Sequence, residues 1–344
     1  MFMNLSVNAT DDCDLFLSFG TRTTLSVVLS LVLLVGTTGN FTLSVLVTRH
    51  TEMRSLINVL LATMAVSDAL VCVFCVPLDL ATIILGKWVF GRIACITHAF
   101  LLSVFLVQNV IVLVIISIDR YFILVHKKDY LHKCHATAII PMCFGFSLAV
   151  SSPPLFGIGQ FSIVNEYCNL IYGGRHEFMY SAVFSSLLFV LPCGLLLLAY
   201  VHIIVIVRKT NHKVQPEFGK RLAPRCSIRQ FRINMRFKQK TFSTILCLYW
   251  AAVICKLPLA ISLLVHGITK SSYCRVLMWI MLLTYLNSAL NPFIYAMKIT
   301  KYWEFLNSKF YNAKNKVNTL KTSRRQSKRE SLYRITRGTS NSVI

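Results

Sequence analysis

Seven long apolar segments are the feature that most restricts what this chain can fold into. They lie at residues 24–48, 57–85, 93–118, 136–158, 179–207, 241–265 and 276–297 of the 344 residues. Each reaches the roughly 20 residues that an α-helix needs to cross the hydrocarbon core of a bilayer. The sequence therefore predicts an all-α membrane protein built as a seven-transmembrane helix bundle.

The composition supports a membrane protein. Hydrophobic residues make up 55% of the chain and charged residues 14%, whereas about 25% of residues are charged in a typical soluble domain. The first apolar segment follows the acidic residues Asp11, Asp12 and Asp14 and has no basic leader. It is therefore expected to be a transmembrane span and not a cleaved signal peptide.

The net charge of +23 is distributed unevenly along the chain. Most of the 36 Lys and Arg residues lie in the connections after spans 1, 3 and 5 and in the C-terminal tail. The opposite side carries few of them, namely Arg22, Lys87, Arg92, Arg175, Lys270 and Arg275. The positive-inside rule then predicts an extracellular N-terminus and a cytoplasmic tail. The charge also predicts contact with anionic membrane lipids, and no motif supports binding to nucleic acid.

Three regions are predicted. Residues 1–23 form an extracellular segment whose Asn4 and Asn8 lie in glycosylation sequons. Residues 24–310 form the membrane domain, which ends in a short amphipathic helix along the inner membrane surface. Residues 311–344 form a Ser- and Arg-rich cytoplasmic tail that is predicted to be disordered. Its last residues, Ser342 to Ile344, suit a domain that captures chain termini by strand addition.

Polar residues inside the apolar spans are candidate functional residues, because they are costly to bury in lipid. The chain places Asp68 and Asp79 in the second span, Gln108 and Asn109 in the third, Lys256 in the sixth, and Asn287, Ser288 and Asn291 in the seventh. The alternative for any one of them is a hydrogen bond between helices without a further role. Pro192, Pro258 and Pro292 are expected to kink their helices.

Several of these residues form a recognisable set in chain order. The motifs are Gly39-Asn40, Asp68, Asp119-Arg120-Tyr121, Pro192 with Tyr200, Cys255-x-x-Pro258 and Asn291-Pro292-x-x-Tyr295. Over residues 24–310 the chain resembles rhodopsin-class (class A) G-protein-coupled receptors. The phrases "MRSLINVLLATMAVSD", "RFKQKTFSTIL" and "YLNSALNPFIYAMKITKYWEF" more closely resemble the orphan receptors forty-five and sixty-three of that class.

The resemblance implies a plasma-membrane receptor that passes an extracellular or constitutive signal to heterotrimeric G proteins by helix rearrangement. No enzymatic activity, cofactor or metal is implied. The tail is expected to interact with kinases and arrestin. The residues implied in G-protein coupling and activation are Asp119, Arg120, Tyr121, Tyr200, Lys238, Asn291, Pro292 and Tyr295. Those implied in a polar core, where many class members hold sodium, are Asp68, Asn109, Asn287, Ser288 and Asn291, joined here by Lys256.

The resemblance also implies a disulfide between Cys95 and Cys168. By the predicted topology, Cys13 and Cys274 are the other cysteines on the oxidising side. With one pair fixed, a single partner is left for each, so a Cys13–Cys274 bridge is our hypothesis.

The ligand is not specified by the sequence. Tyr285 replaces the lysine that binds retinal in opsins, and Leu102 replaces the aspartate of amine receptors. The candidate ligand pocket is Asp79, Leu102, Phe105, Lys256 and Tyr285. Asp79 could bind a cation, although a partner on a neighbouring helix is favoured. The nine histidines are interpreted as solvated residues of loops and helix ends.

Lys256 departs most from the class pattern, because it stands where a tryptophan is common. A lysine this deep in a membrane must be paired or neutral. It could turn toward Asp68 and act as a built-in cation in place of sodium, which is the favoured interpretation. It could instead face an anionic ligand such as a lipid phosphate, or the pocket could have lost its ligand altogether.

Lys238 is a second departure, because many class members carry an acidic residue there that also pairs with Arg120. Its replacement predicts basal signalling, unless hydrogen bonds from Tyr200 or Thr241 keep the bundle closed. Two other functions remain open on sequence: a seven-span ion transporter or channel that uses Asp68 and Lys256, and a non-signalling receptor partner.

Overall fold

A computed structural model describes most of the chain. The described residues are 18–51, 54–126, 135–164, 167–169, 176–190, 192–194, 196–205, 225–269, 274–298 and 307. The chain divides into two units, Met1–Lys298 and Ile299–Ile344. The architecture below is that of the first unit; in the second, Asn307 is the described residue, and it is helical.

The first unit is a bundle of seven helices, numbered here by span. They are α1 (Phe19–Arg49), α2 (Leu56–Leu85), α3 (Gly91–Tyr121), α4 (Ala136–Ser151), α5 (from Glu177–Ser185 through Ser186–Val190 to Pro192–Val205), α6 (Arg225–Thr269) and α7 (Cys274–Lys298). In the described part of the chain, six segments are long and apolar enough to span a membrane, one in each helix except α5; the fourth, Ala136–Phe156, includes the 3₁₀ turn that follows α4, and α5 contains the shorter apolar stretch Pro192–Val205. The prediction of a seven-helix bundle is confirmed.

Local chemistry explains where several helices begin and end. The hydroxyls of Ser18 and Ser55 accept hydrogen bonds from the amides of Thr21 and Asn58, each at 3.3 Å, so both serines cap a helix start. Gly86 follows α2 with a φ of 78°, a left-handed conformation that glycine adopts without steric cost. These caps satisfy backbone groups that a helix end leaves without partners.

Prolines modify two helices relative to the predicted spans. Within α2, a π-helical turn at Val71–Cys75 precedes Pro77, since a proline removes one backbone donor from the regular helix. The fourth span was predicted to run to residue 158. The α-helix instead ends at Ser151, and a 3₁₀ turn follows at Pro153–Phe156, because Pro153 and Pro154 cannot continue an α-helix.

The sixth helix is longer than the sequence pattern predicts. The apolar span was placed at 241–265, but α6 is 45 residues long and begins at Arg225. Its first part thus lies in what was interpreted as a basic connection. No proline or glycine occurs between Arg225 and Pro258, and Arg, Lys and Gln are good helix formers, so the helix extends beyond the apolar segment.

The helices form a closed ring with α3 near its centre. Neighbours in sequence pack together from α1 to α4 and from α5 to α7, and α7 packs back against α1. The Tyr180 hydroxyl joins α5 to α4 by donating to the Val150 carbonyl at 2.9 Å. Because α3 also packs against α5 and α6, it contacts most of the bundle and can communicate between its two ends.

A short hairpin covers one end of the ring, called the disulfide end below. Strands β1 (Ser162–Val164) and β2 (Tyr167–Asn169) pair antiparallel, with Ile163 opposite Cys168. Cys168 forms a disulfide with Cys95 of α3, with Cα atoms 5.5 Å apart. The pairing implied by the resemblance is confirmed, and it ties the hairpin to the first turns of α3.

Several predicted features lie outside the described residues and stay predictions. They are the glycosylation sites Asn4 and Asn8, the amphipathic helix, the tail with its terminal Ser342–Ile344, and Cys13 with its proposed bridge to Cys274.

Two glycines allow α1 to approach its neighbours closely. A Cβ added at Gly36 would lie 2.4 Å from the Cys72 sulfur, and one at Gly39 would lie 2.6 Å from Cβ of Pro292. Real Cβ atoms do not make contacts this short. The proline ring of α7 therefore packs directly on the backbone of α1, as small residues permit in membrane bundles.

We expect Gly39→Ala to destabilise the bundle. The added methyl group meets a rigid proline ring, and overpacking of this kind typically costs about 1–3 kcal/mol. The measurement is the thermal melting temperature of the detergent-solubilised protein. The matched control is Gly145→Ala in α4, where nothing lies within 4 Å of the added Cβ. Equal melting temperatures for the two variants would contradict this account of the α1–α7 contact.

Candidate functional site

A buried carboxylate lies at the centre of the bundle. Asp68 of α2 has no solvent exposure. Its Oδ1 accepts hydrogen bonds from Asn109 Nδ2 of α3 and from Ser288 Oγ of α7, each at 2.8 Å. Its Oδ2 accepts one from Asn291 Nδ2 at 2.6 Å. A single carboxylate on α2 thus accepts hydrogen bonds from residues of two other helices, α3 and α7.

The first helix joins the same cluster through Asn40. Its Nδ2 donates to the backbone carbonyls of Ser288 in α7 and Gly36 in its own helix, both at 2.8 Å. The buried Asn40 therefore ties α1 to the segment of α7 that also binds Asp68. We call Asn40, Asp68, Asn109, Asn287, Ser288 and Asn291 the polar core.

The polar core contains more acceptors than the described donors satisfy. The side-chain oxygens of Asn40, Asn109 and Asn287 are buried and have no hydrogen-bond partner in the described part of the chain. The same holds for the hydroxyl of Tyr295, which has no solvent exposure. Unpaired buried acceptors are costly, so this region favours a positively charged or proton-donating group nearby.

Among the described residues, Lys256 is the candidate for a positively charged group near the polar core. It is 3% exposed in α6, and its charge acts on Asp68 and on the thiols of Cys193 and Cys255. No carboxylate of the described residues lies within ion-pair distance of its ammonium group. The structure thus brings Lys256 into electrostatic range of Asp68 without a direct bond between them.

The opposite end of the ring carries the Asp119-Arg120-Tyr121 sequence and is called the Asp-Arg-Tyr end below. Asp119 Oδ2 accepts hydrogen bonds from Arg120 Nη2 at 2.7 Å and from Arg120 Nε at 3.1 Å. The Tyr121 hydroxyl lies 3.1 Å from His202 Nδ1 of α5. Lys238 lies on α6, but its side chain is outside the described part of the structure.

Two tyrosines connect α3, α5 and α6 near the same end. The hydroxyls of Tyr200 in α5 and Ser117 in α3 are 2.8 Å apart and buried. The rings of Tyr200 and Tyr249 in α6 are 5.3 Å apart, and the Tyr249 hydroxyl donates to the Cys193 carbonyl at 2.7 Å. Separation of α6 from α3 would have to break or rearrange these contacts.

A second polar cluster lies toward the disulfide end. The Tyr285 hydroxyl of α7 donates to Asp79 Oδ2 of α2, and His98 Nε2 of α3 lies 3.3 Å from Asp79 Oδ1. Asp79 therefore has partners on two neighbouring helices. It also borders a small cavity of about 40 Å³, whose lining is mostly aliphatic side chains and methionines of α1, α2 and α7 together with Tyr167 and Cys168 of β2.

Two of the residues that were grouped as a candidate ligand pocket line this cavity. Asp79 and Tyr285 line the cavity together with residues such as Leu25 and Met281. Leu102 and Phe105 are instead buried in the hydrophobic core. Neither they nor Lys256 belong to the described lining of this cavity.

Some polar contacts were missed by sequence reasoning. The interpretation of all histidines as solvated is wrong for His98, which is 3% exposed and pairs with Asp79. His98 lies four residues before Leu102 and therefore on the same face of α3. This spacing was the sequence signal that His98 faces the interior of the bundle. Likewise His266 of α6 pairs with Glu177 of α5 at 3.0 Å, a contact between distant residues that no local pattern reveals.

Known proteins resemble this chain in sequence and in fold. The family model of the rhodopsin family of seven-transmembrane receptors matches residues 39–295. The chain is 31% identical to the "High-affinity lysophosphatidic acid receptor" of Xenopus laevis, over 88% of this chain and 87% of that protein. It is 30% identical to "Probable G-protein coupled receptor 45" of Homo sapiens, over 88% and 86%.

Two further matches agree with these. "Probable G-protein coupled receptor 63" of Homo sapiens is 31% identical over 81% of this chain and 71% of that protein. In fold, the structure matches squid rhodopsin with a TM-score of 0.76 at 19% identity, covering 86% of each chain.

We expect Asp68 and Lys256 to be energetically coupled. Asp68→Asn or Lys256→Met alone leaves one buried charge without its opposite, so each should lower the melting temperature of the purified protein. The double variant should lose less than the sum, with a coupling free energy of about 1 kcal/mol or more. The matched control is Asp79→Asn with Lys256→Met, which should be additive because Asp79 already pairs with His98. Additivity in both cycles would contradict the coupling.

Proposed function

The chain belongs to the rhodopsin family of seven-transmembrane receptors, and from this premise we propose a plasma-membrane receptor with an extracellular N-terminus and substantial basal signalling. Members of the family are G-protein-coupled receptors; they are multi-pass membrane proteins, signal through heterotrimeric G proteins and are not enzymes. Membership favours this function over the ion transporter or channel that the buried charges also allowed.

The proposed orientation rests on two features. Disulfides form on the oxidising, extracellular side of a membrane, and the Cys95–Cys168 bridge marks one end of the bundle. The connections after α1, α3 and α5, which are rich in Lys and Arg, join the helices at the other end, as the positive-inside rule expects for the cytoplasmic side. The Asp-Arg-Tyr end then faces the G protein.

The contacts of Arg120 carry the proposal of basal signalling. In the described structure the guanidinium is paired with Asp119, its neighbour in the chain, so this bond does not tie α3 to another helix. The residue of α6 that could have added a second, acidic partner is Lys238. Among the described residues, neutral contacts between α3, α5 and α6, such as those of Ser117, Tyr200 and Tyr249, help to close the Asp-Arg-Tyr end, and neutral contacts are weaker than charged ones.

Lys256 is proposed to act as the internal cation of the polar core. Its charge acts on Asp68, and Asn109 and Asn287 of the same polar core have buried amide oxygens without a hydrogen-bond partner among the described residues. A tethered ammonium group stays with the protein at any salt concentration, whereas a bound sodium ion exchanges with solvent. The receptor should therefore not need sodium to stabilise its inactive arrangement.

The ligand class is proposed from the cavity and from one relative. The cavity between α1, α2 and α7 is mostly apolar, and one relative is named as a high-affinity lysophosphatidic acid receptor. Both favour a lipid-like ligand over a small amine. Loss of binding to every lipid tested, with basal signalling intact, would instead favour a receptor without a ligand.

The tail is proposed to recruit further partners. Its hydroxyls flanked by basic residues suit kinases and, after phosphorylation, arrestin, while Ser342–Ile344 suits a domain that binds chain termini. Removal of the last three residues should abolish capture of such a domain from a panel of purified ones and leave arrestin recruitment unchanged. Unchanged capture would exclude the terminal residues as the binding motif.

We expect Lys238→Glu to reduce basal signalling. A carboxylate on α6 supplies Arg120 with a second partner and favours the closed arrangement of the Asp-Arg-Tyr end. The measurement is G-protein dissociation without added ligand, across all G-protein classes, at matched surface expression.

Two controls define the outcome. Lys240→Glu makes the same change of charge two residues away and therefore on a different face of the helix; it should leave basal signalling close to that of the wild type. Arg120→Ala should abolish nucleotide exchange by purified G proteins. An absence of basal dissociation for every class would refute basal signalling, and ion flux without nucleotide exchange would favour the transporter alternative.

We also expect basal signalling of the wild-type receptor to be insensitive to sodium. Replacing sodium chloride by an equal concentration of N-methylglucamine chloride should change exchange little. Lys256→Met removes the internal cation and leaves Asp68 with its hydrogen-bond donors, so sodium should now suppress exchange. A wild-type receptor that sodium inhibits as strongly as the variant would rule out Lys256 as the substitute cation.

A further inference from the structure

A groove runs along the outer face of α3 where α5 packs beside it. It consists of two adjoining cavities of about 790 and 440 Å³, and each falls within the range of ligand sites, about 300–1,000 Å³. Val114 of α3 and Pro192 of α5 line both cavities. The two cavities therefore form one continuous space, which we call the α3–α5 groove.

The irregular course of α5 explains the groove. A π-helical turn at Ser186–Val190 precedes Pro192, from which the helix continues to Val205. A proline removes a backbone donor, and a π-helical turn changes the direction of the side chains that follow it. We attribute the space at Pro192 to this local change in α5, which keeps the helix from packing closely along α3.

The groove opens toward the lipid and not toward water. Ile118 of α3 and Leu198 of α5 line it, and these side chains are 45% and 69% exposed. Both residues lie within the apolar stretches of their helices, so their exposed side chains face the hydrocarbon of the bilayer. A molecule that fills the groove therefore comes from the membrane.

The polar side chains of the described lining are distributed unevenly. Tyr121 and His202 lie at the Asp-Arg-Tyr end of the groove, with 3.1 Å between the hydroxyl and Nδ1. Farther in, the hydroxyl of Ser117 is bonded to Tyr200, and that of Tyr180 to the backbone of α4. The groove thus has one polar end and an apolar interior, which suits an amphipathic molecule.

The length of the groove matches one leaflet of a bilayer. Val110 and Tyr121 line its two ends along α3 and are about 17 Å apart along the helix axis at 1.5 Å per residue. Half of the hydrocarbon core of a bilayer is about 15 Å thick. An acyl chain of the leaflet at the Asp-Arg-Tyr end therefore fits the groove from end to end.

The connections that leave α3 and α5 at the polar end of the groove are basic. Residues 127–133 after α3 contain three lysines and one aspartate, and residues 208–213 after α5 contain one arginine, two lysines and no acidic residue. Basic residues beside a membrane attract the anionic lipids of the cytoplasmic leaflet. A sterol, which has no charge, gains nothing from them.

We propose that the α3–α5 groove binds an anionic phospholipid of the cytoplasmic leaflet. One acyl chain lies along α3 from Tyr121 toward Val110, and the headgroup lies at the polar end beside Tyr121 and His202. The groove borders Ser117, whose hydroxyl contacts Tyr200 of α5, so the bound lipid supports the contact between α3 and α5. The name of the leaflet rests on the proposed orientation, whereas the site itself can be tested by binding alone.

Photolabelling of the full-length receptor in phosphatidylcholine nanodiscs tests the site. The probe is a phosphatidylserine that carries a diazirine in one acyl chain, and peptide mass spectrometry locates the label. We expect label on the segments of α3 and α5 that contain Val114 and Leu196, which both line the groove. Label that is spread evenly over the lipid-facing helices would overturn the site.

Competition identifies the occupant. Unlabelled phosphatidylserine should suppress the groove label about fivefold more effectively than added phosphatidylcholine, as expected when one basic residue acts on the headgroup. Equal suppression by the two phospholipids would overturn the role of the anionic headgroup. Stronger suppression by cholesterol than by phosphatidylserine would assign the groove to a sterol and would also overturn the proposal.

Two variants test the space for the acyl chain. Ala199→Trp fills the cavity at the polar end and Val114→Phe narrows the junction of the two cavities, so each should remove the label that phosphatidylserine displaces. Ala149→Trp makes the same change as the first at an exposed position of α4 outside the described lining, and it should label as the wild type does. Melting temperatures show that each variant is folded. Unchanged label in both folded groove variants would overturn the site.

A third variant tests the position of the headgroup. His202→Leu removes a polar side chain from that end of the groove, so the preference for phosphatidylserine over phosphatidylcholine should fall about threefold while the label stays in place. His50→Leu, at the end of α1 on the same side of the bundle, is the matched control and should keep the preference. An unchanged preference in His202→Leu would overturn the placement of the headgroup. None of these outcomes depends on basal signalling, so failure of the site and failure of the proposed function are distinguishable.

Discussion

The need to satisfy one carboxylate in the middle of a membrane bundle organises much of this structure. Asp68 has no access to water, so its hydrogen-bond partners must come from the helices around it. Asn109, Ser288 and Asn291 supply them, and Asn40 fastens α1 to the same part of α7. Four helices are thereby held in register by a few polar atoms, in a solvent where apolar contacts between helices give no hydrophobic gain over contacts with lipid.

A polar cluster of this kind can also take part in a conformational change of the bundle. Asp68 accepts hydrogen bonds from α3 and α7 at once, so a displacement of α7 would change the bonds from Ser288 and Asn291. Lys256 adds a charge that moves with α6 and acts on Asp68. The energy of the polar core therefore depends on the position of α6 relative to α2. This gives a physical link between the middle of the bundle and the helix whose contacts with Tyr200 hold the Asp-Arg-Tyr end.

The fold could be predicted from sequence because its determinants are local. The length of each apolar segment predicts a helix, although local signals such as Pro153 fixed helix ends that the apolar segments alone placed incorrectly. The sixth helix was underestimated because hydropathy reports where lipid ends and not where a helix ends. Charged residues continue a helix into water without changing its geometry.

Parts of the candidate site were harder to foresee because they depend on pairs of residues far apart in the chain. Asp68, Asn109 and Asn291 were recognisable as polar residues in apolar spans, and they do meet. His98 is also buried and pairs with the partly buried Asp79, yet a histidine near a helix end looks like a solvated one until its partner is known. For Lys256, sequence established that the charge must be satisfied; only a structure shows that Asp68 lies within range but not in contact.

The length of α6 gives the bundle a mechanical property. At 1.5 Å per residue, the part from Pro258 to Arg225 is about 50 Å long, whereas the part from Pro258 to Thr269 is about 17 Å long. If the helix pivots at the proline, its two arms differ about threefold in length. Suppose that a tilt of α6 moves His266 relative to Glu177 by about the length of one hydrogen bond. The Arg225 end of the helix then moves by a distance comparable to the diameter of a helix. A pivot at Pro258 would therefore convert a small movement at the disulfide end of α6 into a larger movement at its other end.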